Sequence, residues 1–190
     1  MRTTPLLPDD FWTNVDVFIT LLLKYNQTHN ITGAKNKEAA MKNVEDSIYP
    51  LTFLETHALK NAIDVGTGAG FPGLLLALAL PHVAFTLFEP IAKKSAFLHL
   101  AKLHLGLNNV TICTQRVEKV TPWSVDLICS RAVTNTKMLI SLCQGFIAPH
   151  SVLLFCKGAY VEEEIKGLEN CKIFQRDKRY YLVMKDIYVA

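Results

Sequence analysis

The chain has 190 residues, half of them hydrophobic, and a formal charge of only +3. That length can bury a full α/β core with a small appendage and calls for no second large domain, while the charge permits a nucleic-acid partner without implying one. With no apolar run of about 18 residues and no basic-then-apolar leader, the sequence excludes a spanning helix and points to a soluble cytoplasmic protein.

Asp9 or Asp10 can cap a first helix, whose apolar residues Phe11, Val15, Phe18, Ile19, Leu22 and Leu23 recur at helical spacing and form one packing face. The segment KYNQTHNIT, Lys24 to Thr32, reads as a loop by its Asn and Thr content. A second helical stretch over 36–49 carries Ala40, Met41, Val44 and Ile48 and stops near Pro50, and a short apolar helix is expected around 53–59. Residues 1–60 thus read as a helical cap, part of one compact unit with a sheet domain over 61–190.

The stretch IDVGTGAGFPG, Ile63 to Gly73, opens that domain. Ala62, Ile63 and Val65 read as a buried parallel strand, and Gly66, Gly68 and Gly70 let the backbone turn tightly and approach a ligand. Pro72 suits the first turn of a helix that continues through Leu74 to Leu80. Strand, turn and helix make the first βα unit of a nucleotide-binding sheet. Two ligand classes share this pattern: Gly68, Gly70 and Gly73 spell the dinucleotide G-x-G-x-x-G, while Gly66, Gly68 and Gly70 spell the G-x-G-x-G of S-adenosylmethionine enzymes. Charge favours the second. Beside Asp64, a pyrophosphate would meet a like charge at about 4 Å, a cost of roughly 4 kcal/mol near a surface, whereas a sulfonium and an ammonium would be attracted. The competing reading is that Asp64 caps the turn.

Strands are predicted at 61–65, 83–88, 110–114, 125–130, 151–157, 171–176 and 180–188, with helices at 72–80, 91–106, 135–146 and 160–168. This alternation predicts a parallel sheet covered on both faces. The turn Asp177 to Arg179 is too short for a crossover, so the last two strands must pair antiparallel. The expected architecture is the class I S-adenosylmethionine-dependent methyltransferase fold: Rossmann-like, seven strands, mostly parallel, with the N-terminal helical cap. Glu89, 23 residues past Gly66, can accept from both ribose hydroxyls of either cofactor, or can cap the helix after it. In QRVEKV, Glu118 can accept from an adenine amine beside a backbone N–H near Val117, or can be a solvated charge. Five cysteines lack a C-x-x-C pair and six histidines lack ligand spacing, so no metal site is expected.

Together IDVGTGAGFPG, LFEPIAKKSAFL, QRVE, the SRA of Ser130 to Ala132 and the KG of Lys157 and Gly158 resemble the glucose-inhibited division protein B family, bacterial 16S ribosomal RNA guanine-N7 methyltransferases. The likeness spans nearly the whole chain, since KYNQTHNIT and VEDSI are similar to that family's N-terminal signatures. It implies S-adenosylmethionine as cofactor, held by Gly66, Phe71, Val117, Glu118 and Arg131 with Glu89 on the ribose; Asp64 and Gly68 join these from the turn. It implies guanine 527 of 16S RNA, in free RNA or the small ribosomal subunit, as the target of an enzyme expected to act as a monomer. Asn43 stands where the family usually has the histidine of H-x-x-DS.

Guanine N7 carries an in-plane lone pair and no proton, so it needs no general base. Catalysis then rests on alignment, which can supply roughly 7–11 kcal/mol. The chain has Ser130-Arg131-Ala132 where amine methylases commonly place [ND]-P-P-[YFW]. Arg131 is the expected catalytic side chain, donating to O6, phosphate or the cofactor carboxylate; a structural ion pair is its other reading. Lys93, Lys94, Arg116 and Lys157, with Lys35, Lys37 and Lys137, are expected to grip RNA phosphates. A methyltransferase of a small metabolite and a non-catalytic nucleotide- or RNA-binding module are the alternatives the residues leave open.

Overall fold

The structure is a computed structural model that describes residues 7–187; Tyr188, the expected end of the last strand, lies outside them. Helix α1 spans Phe11–His29 and buries Phe11, Val15, Phe18, Ile19 and Leu22. It therefore continues through Lys24–His29, where composition predicts a loop. Tertiary contacts override that weak preference: the Tyr25 ring lies 5.4 Å from Phe97 and its hydroxyl donates to the Lys93 carbonyl. The helix ends at Asn30 in the left-handed region. Asp10 stands at its N-cap but makes no capping bond, accepting instead from the Asn14 side chain.

Helix α2, Lys37–Ile48, begins where the Asn36 side chain accepts from the Ala39 N–H. A 3-10 turn, Tyr49–Thr52, follows, and no helix forms over 53–59. Phe53 is instead stacked on Phe174 with ring centroids 3.8 Å apart, which draws the chain along the sheet edge.

The sheet comprises β1 Asn61–Val65, β2 Ala84–Phe88, β3 Val110–Cys113, β4 Val125–Arg131, β5 Ile147–Lys157, β6 Cys171–Arg176 and β7 Arg179–Met184, in the order β3-β2-β1-β4-β5-β7-β6. The first five are parallel to one another, and β7 runs antiparallel to both its neighbours. Four helices complete the domain: α3 Gly73–Ala79, α4 Ala92–His104, α5 Thr136–Cys143 and α6 Val161–Glu164. The helix expected over 160–168 is thus one turn, in a segment where three consecutive glutamates repel and Gly167 adopts φ +79°.

Every residue of α3 is buried, because the helix is sandwiched between the sheet and the cap, which explains its unbroken apolar run. One core joins Phe18 and Val44 of the cap to Leu74, Leu87 and Phe97; a second, on the opposite face, gathers Ile63, Ile128, Leu139 and Phe155. Two ion pairs of 2.8 Å, Arg176–Glu45 and Arg179–Asp46, tie α2 to the final hairpin. No helix among the described residues is long and apolar enough to cross a membrane.

Candidate cofactor and substrate site

The strand order reverses direction between β1 and β4, and an α/β sheet binds its ligand at the carboxyl ends of strands at such a point. A cavity of about 380 Å³ opens there, walled by the glycine turn, Phe71, Glu89, Lys94, Arg131 and the Ile31–Thr32 segment. Gly66, Gly68 and Gly70 have φ of +69°, +62° and +97°, a region that glycine enters without penalty. A Cβ at Gly66 would also lie 2.5 Å from the Val133 side chain.

The turn's amides separate the two ligand classes. Gly66 and Thr67 donate to the Phe88 carbonyl, Gly70 and Phe71 to that of Thr67, and Gly68 to Glu89 Oε2 at 2.9 Å. At the start of α3, the Gly73 N–H donates to Asp64 Oδ2 at 2.8 Å. A pyrophosphate needs just such amides free, and here they are consumed within the chain. A carboxylate already occupies the helix N-terminus where that anion would sit.

This geometry corrects the expected role of Asp64, which is fully buried and is not part of the cavity wall. Its side chain turns beneath the glycine bend to cap α3, so the capping reading holds and the contact with a sulfonium does not. Burial lifts its pKa from 3.8 to about 6, with the Thr67 hydroxyl, the Gly73 N–H and nearby Arg131 pulling the other way. Gly73 is likewise a packing residue: a Cβ there would lie 2.5 Å from Asp64 and 2.6 Å from Leu87.

Glu89, 2% exposed, is held by the N–H groups of Gly68 and of Ile91 at 2.8 Å and still forms cavity wall. It braces the residue ahead of α4 without bonding an N–H of the helix itself, and it faces the ligand space. Arg131, at the end of β4, donates to Asn43 Oδ1 at 3.0 Å, and its guanidinium lies 4.9 Å from the centre of the Phe71 ring. Burial lowers its pKa, and no carboxylate pairs with it among the described residues. Asn43 thus has a defined task in this chain: its carbonyl oxygen accepts at any pH, which an imidazole does only when neutral.

Val117 and Glu118 follow β3 at the same sheet edge, outside this cavity's wall; Val117 is buried against the second core, and Glu118 stands 4.0 Å from Arg116. The expected basic residues divide. Lys94 lines the cavity and Arg116 is exposed, whereas Lys93 donates to the His29 carbonyl and Lys37 pairs with Asp16. Lys35 and Lys137 are exposed. Lys157 is not the exposed phosphate grip expected: its side chain is 7% exposed and its ammonium donates to Glu164 at 2.8 Å and to the Thr134 carbonyl at 2.9 Å, holding loops in the wall of a second cavity. Thr32, Ala132 and Val133 also line the cavity, beyond the residues expected from sequence. Thr32 closes the KYNQTHNIT signature and Ala132 the SRA, so both belong to motifs that signal the site.

A second cavity of about 300 Å³ adjoins the first and shares Arg131 and Ala132 with it. Its far wall holds Asp46, Arg179 and Tyr181.

A sheet of this order, a glycine turn with internally bonded amides and an acid after β2 define a class I S-adenosylmethionine-dependent methyltransferase. The same fold is seen in an S-adenosylmethionine-dependent O-methyltransferase from Thermotoga maritima, with a TM-score of 0.63 at 14% identity over 77% of this chain and 66% of that one. The particular family follows from sequence: the chain belongs to the rRNA small subunit methyltransferase G family, whose model matches residues 13–186. It is 45% identical to the ribosomal RNA small subunit methyltransferase G of Wolinella succinogenes, over 94% of this chain and 92% of that protein. The corresponding protein of Aliarcobacter butzleri is 40% identical over 94% and 92%.

Proposed function

We propose that the protein transfers the methyl group of S-adenosylmethionine to N7 of a guanine, guanine 527 by the resemblance, in 16S ribosomal RNA. The observation that carries this reading is the cavity between Glu89 and Arg131, floored by a glycine turn whose Gly66, Thr67, Gly68, Gly70 and Phe71 amides are bonded within the chain, in a chain of this family. The enzyme acts as a cytoplasmic monomer without a metal, its helical cap and sheet domain forming one unit.

S-adenosylmethionine supplies an activated methyl group on a sulfonium. Glu89 accepts from the ribose hydroxyls with its remaining lone pairs. Gly66 and Gly68 admit the cofactor backbone closely, Phe71 gives an apolar wall, and Val117 and Glu118 border the adenine. Arg131 carries a deeply placed cation and donates to guanine O6 or to the cofactor carboxylate, leaving N7 bare. Lys93, Lys94 and Arg116 steer the RNA backbone. An unstacked guanine is the required form of the substrate, because a stacked base cannot reach a donor at the strand ends.

The test is incubation of the protein with small ribosomal subunits and with 16S RNA lacking the modification, using labelled methyl donor, followed by mass-spectrometric mapping. Label on one guanine at N7 is expected. Label confined to a small molecule, or none despite calorimetric binding of S-adenosylmethionine, overturns the reading.

A further inference from the structure

Beyond the cofactor cavity, the second cavity lies over β5 and β7, and the sheet places its polar groups in a definite order. Arg131 on β4 pairs in register with Cys156 on β5, and Cys156 with Tyr181 on β7. The three form one row across neighbouring strands, so Arg131 and Tyr181 stand roughly 10 Å apart along the edge. All three line the cavity. At its far side, Asp46 is held by the Arg179 Nε at 2.8 Å and keeps Oδ1 for another donor. The Tyr181 hydroxyl is buried, in a residue only 1% exposed, and has no hydrogen-bond partner. A buried orphan hydroxyl costs free energy unless a ligand pairs with it.

We propose that this second cavity is the subsite for the target guanine, with Asp46 accepting from the N1–H and the N2 amino group and Arg131 donating to O6. The proposal rests on the methyltransferase reading above and names where its base sits. Around a guanine ring the polar atoms run N2, N1, O6, N7. Along the sheet edge the groups run Asp46 beside β7, Arg131 on β4, and the cofactor cavity at β1, the same sequence. A base with its Watson–Crick edge on Asp46 therefore turns N7 toward the cofactor cavity. Tyr181 is left to pair with the base through its unpartnered hydroxyl. Adenine is rejected twice, because its 6-amino group would face a guanidinium and its unprotonated N1 a carboxylate. Asp46 belongs to the VEDSI segment, which the cofactor site does not use.

The decisive experiment compares wild type, Asp46→Asn and Tyr181→Phe on small ribosomal subunits, measuring kcat/KM, S-adenosylmethionine affinity by calorimetry and thermal unfolding. Asp46→Asn is expected to lower kcat/KM about 10- to 100-fold, the range for losing one bidentate base contact, with cofactor affinity unchanged. On subunits reconstituted with inosine at the methylated position, which lacks the N2 amine but keeps N1–H, the wild type loses activity and Asp46→Asn costs less than it does on guanine, since only the N1–H contact is left to lose. Tyr181→Phe removes a hydroxyl that pairs with nothing in the fold, so it unfolds no more easily yet turns over more slowly. Unchanged kcat/KM in both variants, a parallel fall in cofactor affinity, or additive losses with inosine overturns the subsite. Absence of RNA methylation by the wild type is a different result and removes the parent reading instead.

Discussion

With its carboxylate removed from solvent and accepting the Gly73 N–H at 2.8 Å, Asp64 fixes how α3 leaves the glycine turn, and its ionisation becomes a stability variable. An acid whose pKa rises from 3.8 to about 6 on folding holds more protons in the native state between those values. Stability is therefore lost as pH climbs from about 4 to about 6 and is flat beyond, and the ionised form costs up to about 3 kcal/mol. Asp64→Asn keeps an oxygen for the Gly73 N–H and does not titrate. Urea unfolding at a series of pH values is expected to show the variant gaining on the wild type across that window, by an amount of that order. A difference independent of pH would mean the carboxyl titrates normally. Arg131 obeys the same logic at the site itself. Its charge is held by the Asn43 oxygen and the Phe71 face and stays available to a ligand that brings an acceptor.

Among elements, the end of α1 shows how a polar segment becomes a wall of the ligand site. Asn26 Oδ1 accepts from the N–H groups of Ile31 and Thr32 at 2.7 and 2.9 Å, and its Nδ2 donates to the carbonyls of Thr32 and Ala34. One side chain thus folds the connection whose Ile31 and Thr32 face the cofactor cavity. Asn26→Ala is expected to destabilise the fold by about 1–3 kcal/mol, the range for orphaned backbone groups, and to weaken S-adenosylmethionine several-fold. Denaturant titration and calorimetry read the two effects, and an unaltered cofactor affinity would detach this segment from the site. The sheet strands were legible because buried parallel strands are short apolar runs between glycine and polar punctuation. The α1 terminus was not, because Lys24–His29 is helical through contacts of Tyr25 with the distant Lys93 and Phe97 and of Asn26 with the loop that follows. The direction of the Asp64 side chain and the partner of Lys157 were illegible although Gly73 and Glu164 lie nearby in sequence, since spacing shows which residues are neighbours and not which way a side chain turns. What motif spacing did expose was the cavity floor and rim: Gly66, Gly68, Phe71, Glu89 and Arg131 all meet there.

At the scale of the whole molecule, a chain with a net charge of +3 must grip a polyanion through a few free cations rather than through bulk charge, and the structure sorts those cations. Arg116 is 70% exposed, with Glu118 at 4.0 Å, too distant and too hydrated to hold it. Lys157 is spoken for by Glu164 and the Thr134 carbonyl and joins β5 to the loops around α5 and α6. These two basic residues should therefore fail in opposite ways. Arg116→Ala is expected to leave stability untouched and to reduce the slope of log affinity for 16S RNA against log salt by about 1, the signature of one lost phosphate contact. Lys157→Met is expected to leave that slope alone and to lower stability by about 1–3 kcal/mol, less than a fully buried pair would lose because the Glu164 carboxylate still reaches water. Filter binding across a salt series, paired with urea unfolding, reads both. A salt slope altered by Lys157→Met in a stably folded protein would return that lysine to the RNA surface, and an unaltered slope in Arg116→Ala would remove Arg116 from it.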